Sequence, residues 1–280
     1  MVTVSFREII MLYLVITTSV YAITDYCNGN DQETGCDVCC NSGEHIQCGK
    51  TDGEFDSQCS SNATLIEMTQ EIKNMILEFH NQKRNDVALG NVPPYESAKR
   101  MATIVWDDDL AKNAEFHVRR CISAHDECRS TDIFRSPGQS IAIDLYELHW
   151  KSYDNQPDEL VFHLLSGWWD KEYMNADMSI IKDCILPDDE FDPNQFGHFT
   201  QLIWDNANTV GCAASKFLYD NNNGLKNAVM LTCDYALGNG PHEMVYEPGP
   251  AASGCESGTN PEYPGLCSVD EKWKHFYLNN

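Results

Sequence analysis

Three stretches of the chain carry apolar residues at the spacing of an amphipathic helix. The first predicted helix begins at about Thr69 and ends before Gly90, the second covers about 107–121, and the third begins near Pro157, a residue suited to the first helical position. The acidic run at 107–109 suits the N-terminus of the second helix. The residues expected on the buried faces are Ile72, Met75, Ile76 and Phe79, then Leu110, Ala114, Val118 and Cys121, then Val161, Leu164, Leu165 and Trp168.

Two further stretches predict β-structure. Residues 140–145 indicate a short strand, and residues 209–236 indicate a β-hairpin that turns at the Asn-Asn-Asn-Gly sequence of 221–224. Cys212 and Cys233 lie symmetrically about that turn. A hairpin folded there brings the two cysteines opposite each other, so we expect a disulfide between them that stabilises the fold by about 2–4 kcal/mol.

The N-terminal apolar run differs from these elements. Arg7 precedes apolar residues from Ile9 to about Val20, and Ala22 provides a small residue at a cleavage position. This pattern predicts a secretory signal peptide over 1–22. The run is too short to span a bilayer, and no later run is long and apolar enough to do so. All 13 cysteines follow residue 22, which in a secreted chain favours disulfides over metal sites or redox motifs.

The charge of the chain narrows the classes of partner. Lysine and arginine total 19 against 43 aspartates and glutamates, a net charge of −24. Such a surface repels nucleic acid and anionic membranes. We therefore expect no nucleic-acid partner. The signal peptide and the lack of a second long apolar run predict a secreted, extracellular protein without a transmembrane segment, and we expect it to be a monomer.

Composition also divides the chain into segments. Residues 23–64 form a cysteine-rich extension that cannot build a hydrophobic core and must be held by disulfides. Its Asn62 is in the only glycosylation sequon. We predict a main domain over 65–248 and a tail over 249–280, rich at first in Pro, Gly and Ser, which a local Cys255–Cys267 disulfide pins. The cysteines of the extension are Cys27, Cys36, Cys39, Cys40, Cys48 and Cys59.

The candidate chemistry rests on three ionisable residues. Helices mixed with strands, without regular βαβ alternation, indicate an α+β fold. His125 follows the second predicted helix, Glu172 ends the third, and His198 precedes the hairpin. Two imidazoles and a carboxylate could hold a divalent cation or act as a general acid/base pair. The alternative is that both histidines are satisfied polar residues in a hydrogen-bond network with Glu172, and the residues alone favour this interpretation.

A series of ordered motifs resembles the CAP superfamily, which includes cysteine-rich secretory proteins, antigen 5 and pathogenesis-related 1 proteins. The most informative is Gly-His-Phe-Thr-Gln-Leu-Ile-Trp at 197–204. The other matching blocks are His80-Asn81 with Arg84, 106–111, 125–129, 138–142, Trp169 with Glu172, 210–212 and 233–235. The resemblance covers about 69–246, and the chain after the signal peptide resembles insect antigen 5 proteins, in particular those of flies.

The resemblance implies an α-β-α sandwich with a central antiparallel sheet and a cleft lined by His125, Gln139, Glu172 and His198. The family pattern has a glutamate where this chain has Gln139, although antigen 5 proteins often show the glutamine. A neutral amide cannot be a base and is a poor metal ligand. The resemblance thus implies at most a two-histidine metal site at His125 and His198, with Gln139 on the rim of the cleft. Asp234 stands where the family usually has Asn, and we expect this to matter little.

The resemblance also implies disulfide pairings. These are Cys59 with Cys121, Cys128 with Cys39 or Cys40, and Cys48 with Cys27 or Cys36. Because 13 cysteines cannot all pair within one chain, one is unpaired or bonded to another chain, and we predict that it is Cys184.

Two classes of function follow. The first is a secreted, non-enzymatic antigen 5-like protein that binds a ligand and serves as an allergen or a salivary or venom component. Its ligand would be a lipid or sterol, a small molecule or a host extracellular protein. It would require no cofactor, with zinc or copper binding as an option. The alternative is a divalent-metal-dependent enzyme, a hydrolase or a redox enzyme, that uses the cleft of His125 and His198.

Overall fold

A computed structural model describes residues 44–146, 156–187, 194–220 and 224–273. The predicted signal peptide, the cysteines at 27, 36, 39 and 40, and residues 221–223 of the predicted turn lie outside the described residues. Asn62 is exposed, as glycosylation would require.

Five helices are present in the described ranges: α1 (Gln70–Ala88), α2 (Asp108–Val118), α3 (Pro157–Asp170), α4 (Met178–Lys182) and α5 (Gly197–Leu202). Thr69 and Asp107 cap α1 and α2 with side-chain oxygens that accept from the backbone N–H of Ile72 and Leu110. The three predicted helices are confirmed. The second ends earlier than expected, so that Cys121 lies beyond it in the left-handed region, with φ of 55°. The short helices α4 and α5 carry too few residues for a periodic signal.

The strands are β1 (Thr64–Ile66), β2 (Val105–Trp106), β3 (Gly138–Tyr146), β4 (Thr209–Asp220) and β5 (Leu225–Tyr235). They form one sheet in the order β1-β4-β5-β3, antiparallel except for the two-residue β2, which pairs with β4 in parallel. The predicted hairpin is confirmed as β4 and β5, with Cys212 directly opposite Cys233.

The sheet is buried on both faces, because alternate residues of β4 and β5 point to opposite helical layers. One face packs against α1 and α3, and the other packs against α2. The strand residues on the first face are Val210, Cys212, Ala214, Val229, Leu231, Cys233 and Tyr235. Those on the second are Ala213, Phe217, Ala228 and Met230. The expected α+β sandwich is confirmed.

Disulfides join the outer segments to this sandwich. Cys59 bonds Cys121, Cys212 bonds Cys233, and Cys255 bonds Cys267. These three pairs agree with the sequence-based expectation. Cys48 and Cys128 are also disulfide-bonded. Among the described cysteines Cys184 is the free one, and it is fully buried.

The segment predicted as a tail contributes to the core. Tyr263 and Leu266 pack in the same buried cluster as Phe199 and Trp204. The backbone N–H of Cys267 donates to the carbonyl of Met101 at 2.8 Å. The described part of this segment, residues 249–273, is therefore integrated into the fold. No helix of the described part is long and apolar enough to cross a membrane.

Candidate functional site

Helix α5 and the end of α3 fix the ring of His198. Glu172 follows α3, and its Oε2 accepts from the backbone N–H groups of His198 at 2.9 Å and Phe199 at 3.0 Å. Its Oε1 lies 2.5 Å from Nδ1 of His198. The other side of the imidazole stacks on Trp168, with ring centroids 5.5 Å apart. One carboxylate thus holds both the backbone and the side chain at the start of α5.

A second pair lies across the cleft. Oε1 of Gln139, on β3, lies 3.1 Å from Nδ1 of His125 and accepts from the backbone N–H of Asp126 at 3.1 Å. Nε2 of Gln139 donates to Asp126 Oδ2 at 2.6 Å and to Asp234 Oδ1 at 3.0 Å. Gln139 is only 7% exposed, and four groups contact its amide.

The two pairs meet in a small cavity of about 110 Å³. Of the four predicted cleft residues, His125, Gln139 and His198 line it, whereas Glu172 lies behind His198. The other described lining residues are Leu186, Pro187, Gln195, Gly197 and Asn239. The structure therefore brings both predicted histidines to one cavity.

The convergence of His125, Glu172 and His198 into one ligand set is not found. Across the described residues, no three histidine, cysteine, aspartate or glutamate side chains are grouped so that they could hold a metal ion. The physical reason is that both carboxylate oxygens of Glu172 already accept hydrogen bonds from the segment that contains His198. His125 is paired instead with the neutral amide of Gln139.

Asp234 has a larger role than the sequence suggested. It is the cross-strand partner of Gln139 in the β3–β5 register and is fully buried. Its Oδ2 is buried and has no hydrogen-bond partner. Burial raises the pKa of Asp234 to about 8, against the opposing charge of Arg129. An aspartate at this position therefore adds a buried titratable group to the network, which an asparagine would not.

Asp126 is the second buried carboxyl of the network, and its immediate proximity to His125 in the chain was the available signal for it. Its Oδ1 accepts from Nδ1 of His117 at 2.9 Å and from Arg120 at 2.6 Å. Burial alone would raise the pKa of Asp126, but the hydrogen bond and charge of His117, the hydrogen bond of Gln139 and the charge of Arg120 lower it below its ordinary value. Two carboxyls with oppositely shifted pKa values thus flank one amide.

The buried Asp234 carboxyl predicts a pH dependence of stability. Because its pKa is higher in the folded state than in the unfolded chain, the folded state binds more protons between the two values, and stability falls as pH rises through that window. We expect Asp234→Asn to remove this pH-dependent decline in the free energy of unfolding, which is at most about 1.4 kcal/mol per pH unit. Urea unfolding of both proteins over pH 4–9 measures the difference. If the stability of both proteins changed with pH in the same way, the raised pKa of Asp234 would be contradicted.

A profile of the CAP family, described as the cysteine-rich secretory protein family, matches residues 77–235. This chain belongs to the CAP family. The match begins within α1, ends with β5 and includes the four predicted cleft residues.

Relatives with curated names include a venom allergen of a mosquito and a protein of a biting fly. Venom allergen-1 of Aedes aegypti is 35% identical over 257 residues, which cover 92% of this chain and 93% of that protein. Tabinhibitin 3 of Tabanus yao is 31% identical over 271 residues, which cover 96% and 95%. The solved structure of Na-ASP-1 superposes with a TM-score of 0.56 at 24% identity over 79% of this chain. The match spans about half of that longer chain, 52%, and shows the shared fold.

Proposed function

We propose that this CAP protein is secreted and acts by binding an extracellular ligand rather than by catalysis. The observation that carries the proposal is the chemistry of the cavity wall. Its described lining offers two imidazoles, three amides and apolar groups, and none of these residues carries a carboxylate, a hydroxyl or a thiol. Covalent catalysis commonly uses a hydroxyl, thiol or carboxylate nucleophile, and the described wall supplies none of these. Glu172 orients His198 as a carboxylate orients a general base, so the proposal rests on the missing nucleophile.

The same wall does not fit a resident catalytic cation. Catalytic zinc sites use three protein ligands and keep a fourth position for water or substrate. The described residues offer only the two imidazoles of His125 and His198, and Gln139 is a neutral amide held by other groups. Such a pair supports weak, reversible binding of zinc or copper, because imidazole suits late first-row metals. It does not support the alternative of a metal-dependent hydrolase or redox enzyme.

The size of the cavity limits the ligand. Pockets for drug-sized molecules measure about 300–1,000 Å³, whereas this one measures about 110 Å³. A sterol or a fatty acid is too large for it. We infer that the cleft takes a small molecule, a cation, or one side chain of a host extracellular protein that covers the opening. A lipid ligand would have to bind elsewhere on the surface.

The extracellular part of the proposal rests on independent features. The structure holds three disulfides in its described part, which form and persist in oxidising compartments. The name of the Aedes relative denotes a venom allergen, and the name of the Tabanus relative suggests an inhibitor. An allergen or a salivary or venom component that binds a host molecule is consistent with both names. The predicted signal peptide would supply the route of export.

The test is calorimetric titration with zinc and with copper, together with metal analysis of the purified protein. We expect no stoichiometric metal after purification and weak binding that disappears in the His125→Ala/His198→Ala variant. Binding should also weaken at mildly acid pH, because protons compete for the same lone pairs. The matched control is His163→Ala, which removes an exposed histidine bonded to Asp144 and should leave binding unchanged.

The outcomes separate the two classes of function. Metal at one equivalent, combined with turnover of ester, peptide or phosphate substrates that the double variant loses, would establish the enzyme instead. Unchanged affinity in the double variant would show that both histidines are structural and that the binding surface lies elsewhere.

A further inference from the structure

The amide of Gln139 has only one orientation that satisfies its neighbours. The backbone N–H of Asp126 is a donor, so the amide atom 3.1 Å from it must be the oxygen. The opposite amide atom faces carboxyl oxygens of Asp126 and Asp234 at 2.6 and 3.0 Å and must therefore be the nitrogen. A flipped amide would set donor against donor and oxygen against oxygen. The two carboxyls and one backbone group thus lock Gln139.

This orientation has a consequence for His125. Its Nδ1 lies 3.1 Å from the Gln139 oxygen, which can only accept, so Nδ1 must carry the proton. A neutral imidazole has one donor and one acceptor nitrogen, and the hydrogen bond at one nitrogen decides the state of the other. Nε2 of neutral His125 is therefore the acceptor.

We propose that Asp126 and Asp234 are positioning residues of the cleft, which act through Gln139 to hold neutral His125 as the Nδ1–H tautomer. The three groups form a carboxyl clamp, defined as the side chains of Asp126, Gln139 and Asp234. All three are buried, at 5%, 7% and 0% exposure, so water does not compete for these hydrogen bonds. The cross-strand pairing of Gln139 with Asp234 places one arm of the clamp within the sheet itself.

The clamp also defines the ligand class of the cleft, a step that rests on the proposed function. His198 reaches the same state by another route, because Oε1 of Glu172 accepts from its Nδ1. Both imidazoles of the cavity then have Nε2 as their acceptor. A partner for these atoms must be a hydrogen-bond donor or a cation. At these two atoms the cleft therefore favours ammonium, amide or hydroxyl groups, or a metal ion, over anions while the histidines are neutral.

Histidine-selective ¹⁵N NMR tests the clamp without any ligand, so its failure is distinguishable from failure of the proposed function. At a pH at which the imidazoles are neutral, we expect the Nδ1–H tautomer for His125 and His198. In Gln139→Met, which keeps the length of the side chain but removes the acceptor, His125 should shift to the Nε2–H tautomer that free imidazole favours. His198 is the internal control and should not change. An Nε2–H signal for His125 in the unaltered protein, or no change in Gln139→Met, would overturn the proposal.

A double-mutant cycle keeps the proposal testable if Gln139→Met does not fold. The cycle is measured at about pH 9, above the pKa of about 8 of Asp234. Gln139→Glu then places a carboxylate oxygen opposite Asp126 and Asp234, and the midpoint of urea unfolding should fall. Asp234→Asn offers an N–H donor to that oxygen, so Gln139→Glu/Asp234→Asn should recover part of the loss, whereas Asp234→Asn alone should cause none. Strictly additive effects of the two substitutions would show that the residues are not coupled and would refute the clamp.

Discussion

Arg84→Met is expected to lower the free energy of unfolding by about 3–5 kcal/mol. Arg84 is 0% exposed, and its guanidinium donates to four backbone carbonyls. These belong to Ala102 at 2.9 Å, Leu202 at 2.9 Å, Trp204 at 2.7 Å and Asp205 at 3.1 Å. Methionine fills much of the volume of the side chain but leaves these buried acceptors without a donor. The segments after α5 and before β2 would lose the group that joins them to α1.

Urea unfolding followed by near-ultraviolet circular dichroism measures the effect. The matched control is Arg135→Met, which removes the same charge from an exposed position and should change stability by less than about 0.5 kcal/mol. Burial lowers the pKa of Arg84 to about 9, which leaves the side chain charged at neutral pH. If Arg84→Met lowered the free energy of unfolding as little as its control, water would have to satisfy these carbonyls. Arg84 would then not be the buried donor that joins these segments to α1.

The sequence predicts the main helices and the hairpin, but it predicts only part of the environment of Arg84. Ile72, Ile76, His80 and Arg84 recur every fourth residue, and all four are buried on one face of α1. The spacing predicts that Arg84 lies in the core, yet it does not predict its acceptors. These acceptors lie at the end of α5 and in loops, 18 to 121 residues away along the chain. Helix periodicity and turn chemistry are local, whereas the satisfaction of a buried charge is set by the packed fold.

In the candidate site, too, the sequence predicts the residues but not all of their contacts. The motif resemblance identifies His125, Glu172 and His198 individually, and the hairpin turn fixes Cys212 opposite Cys233. The partners of Gln139 follow from the β3–β5 register, which joins positions 95 residues apart. A one-residue slip of that register would turn Asp234 to the other face of the sheet and remove the clamp. The sequence alone has no local feature that sets this register, so it does not predict that Asp234 contacts Gln139.

Gly211→Ala is expected to destabilise the fold by about 3 kcal/mol or more, or to prevent folding. Gly211 lies in β4, beneath the N-terminus of α2. A Cβ atom at this position would come within 2.1 Å of the backbone nitrogen of Ala111, 2.4 Å of the carbonyl oxygen of Asp107 and 2.6 Å of the carbonyl carbon of Leu110. These are backbone atoms of a capped helix and cannot rotate away as a flexible side chain would. The helix would have to lift from the sheet along its first turn.

The control for this substitution is Gly167→Ala, which should have the opposite sign. Gly167 lies within α3, and the nearest atoms to its new Cβ belong to the Lys171 side chain at 3.8 Å, an ordinary contact. Alanine there should stabilise the helix by up to about 1 kcal/mol, because glycine is the poorer helix former. Calorimetric unfolding of the two variants measures both effects. Equal stability of Gly211→Ala and the unaltered protein would mean that α2 lies farther from β4 than these distances indicate. The loop that follows α2 and carries His125 would then not be held at the cleft by this close contact.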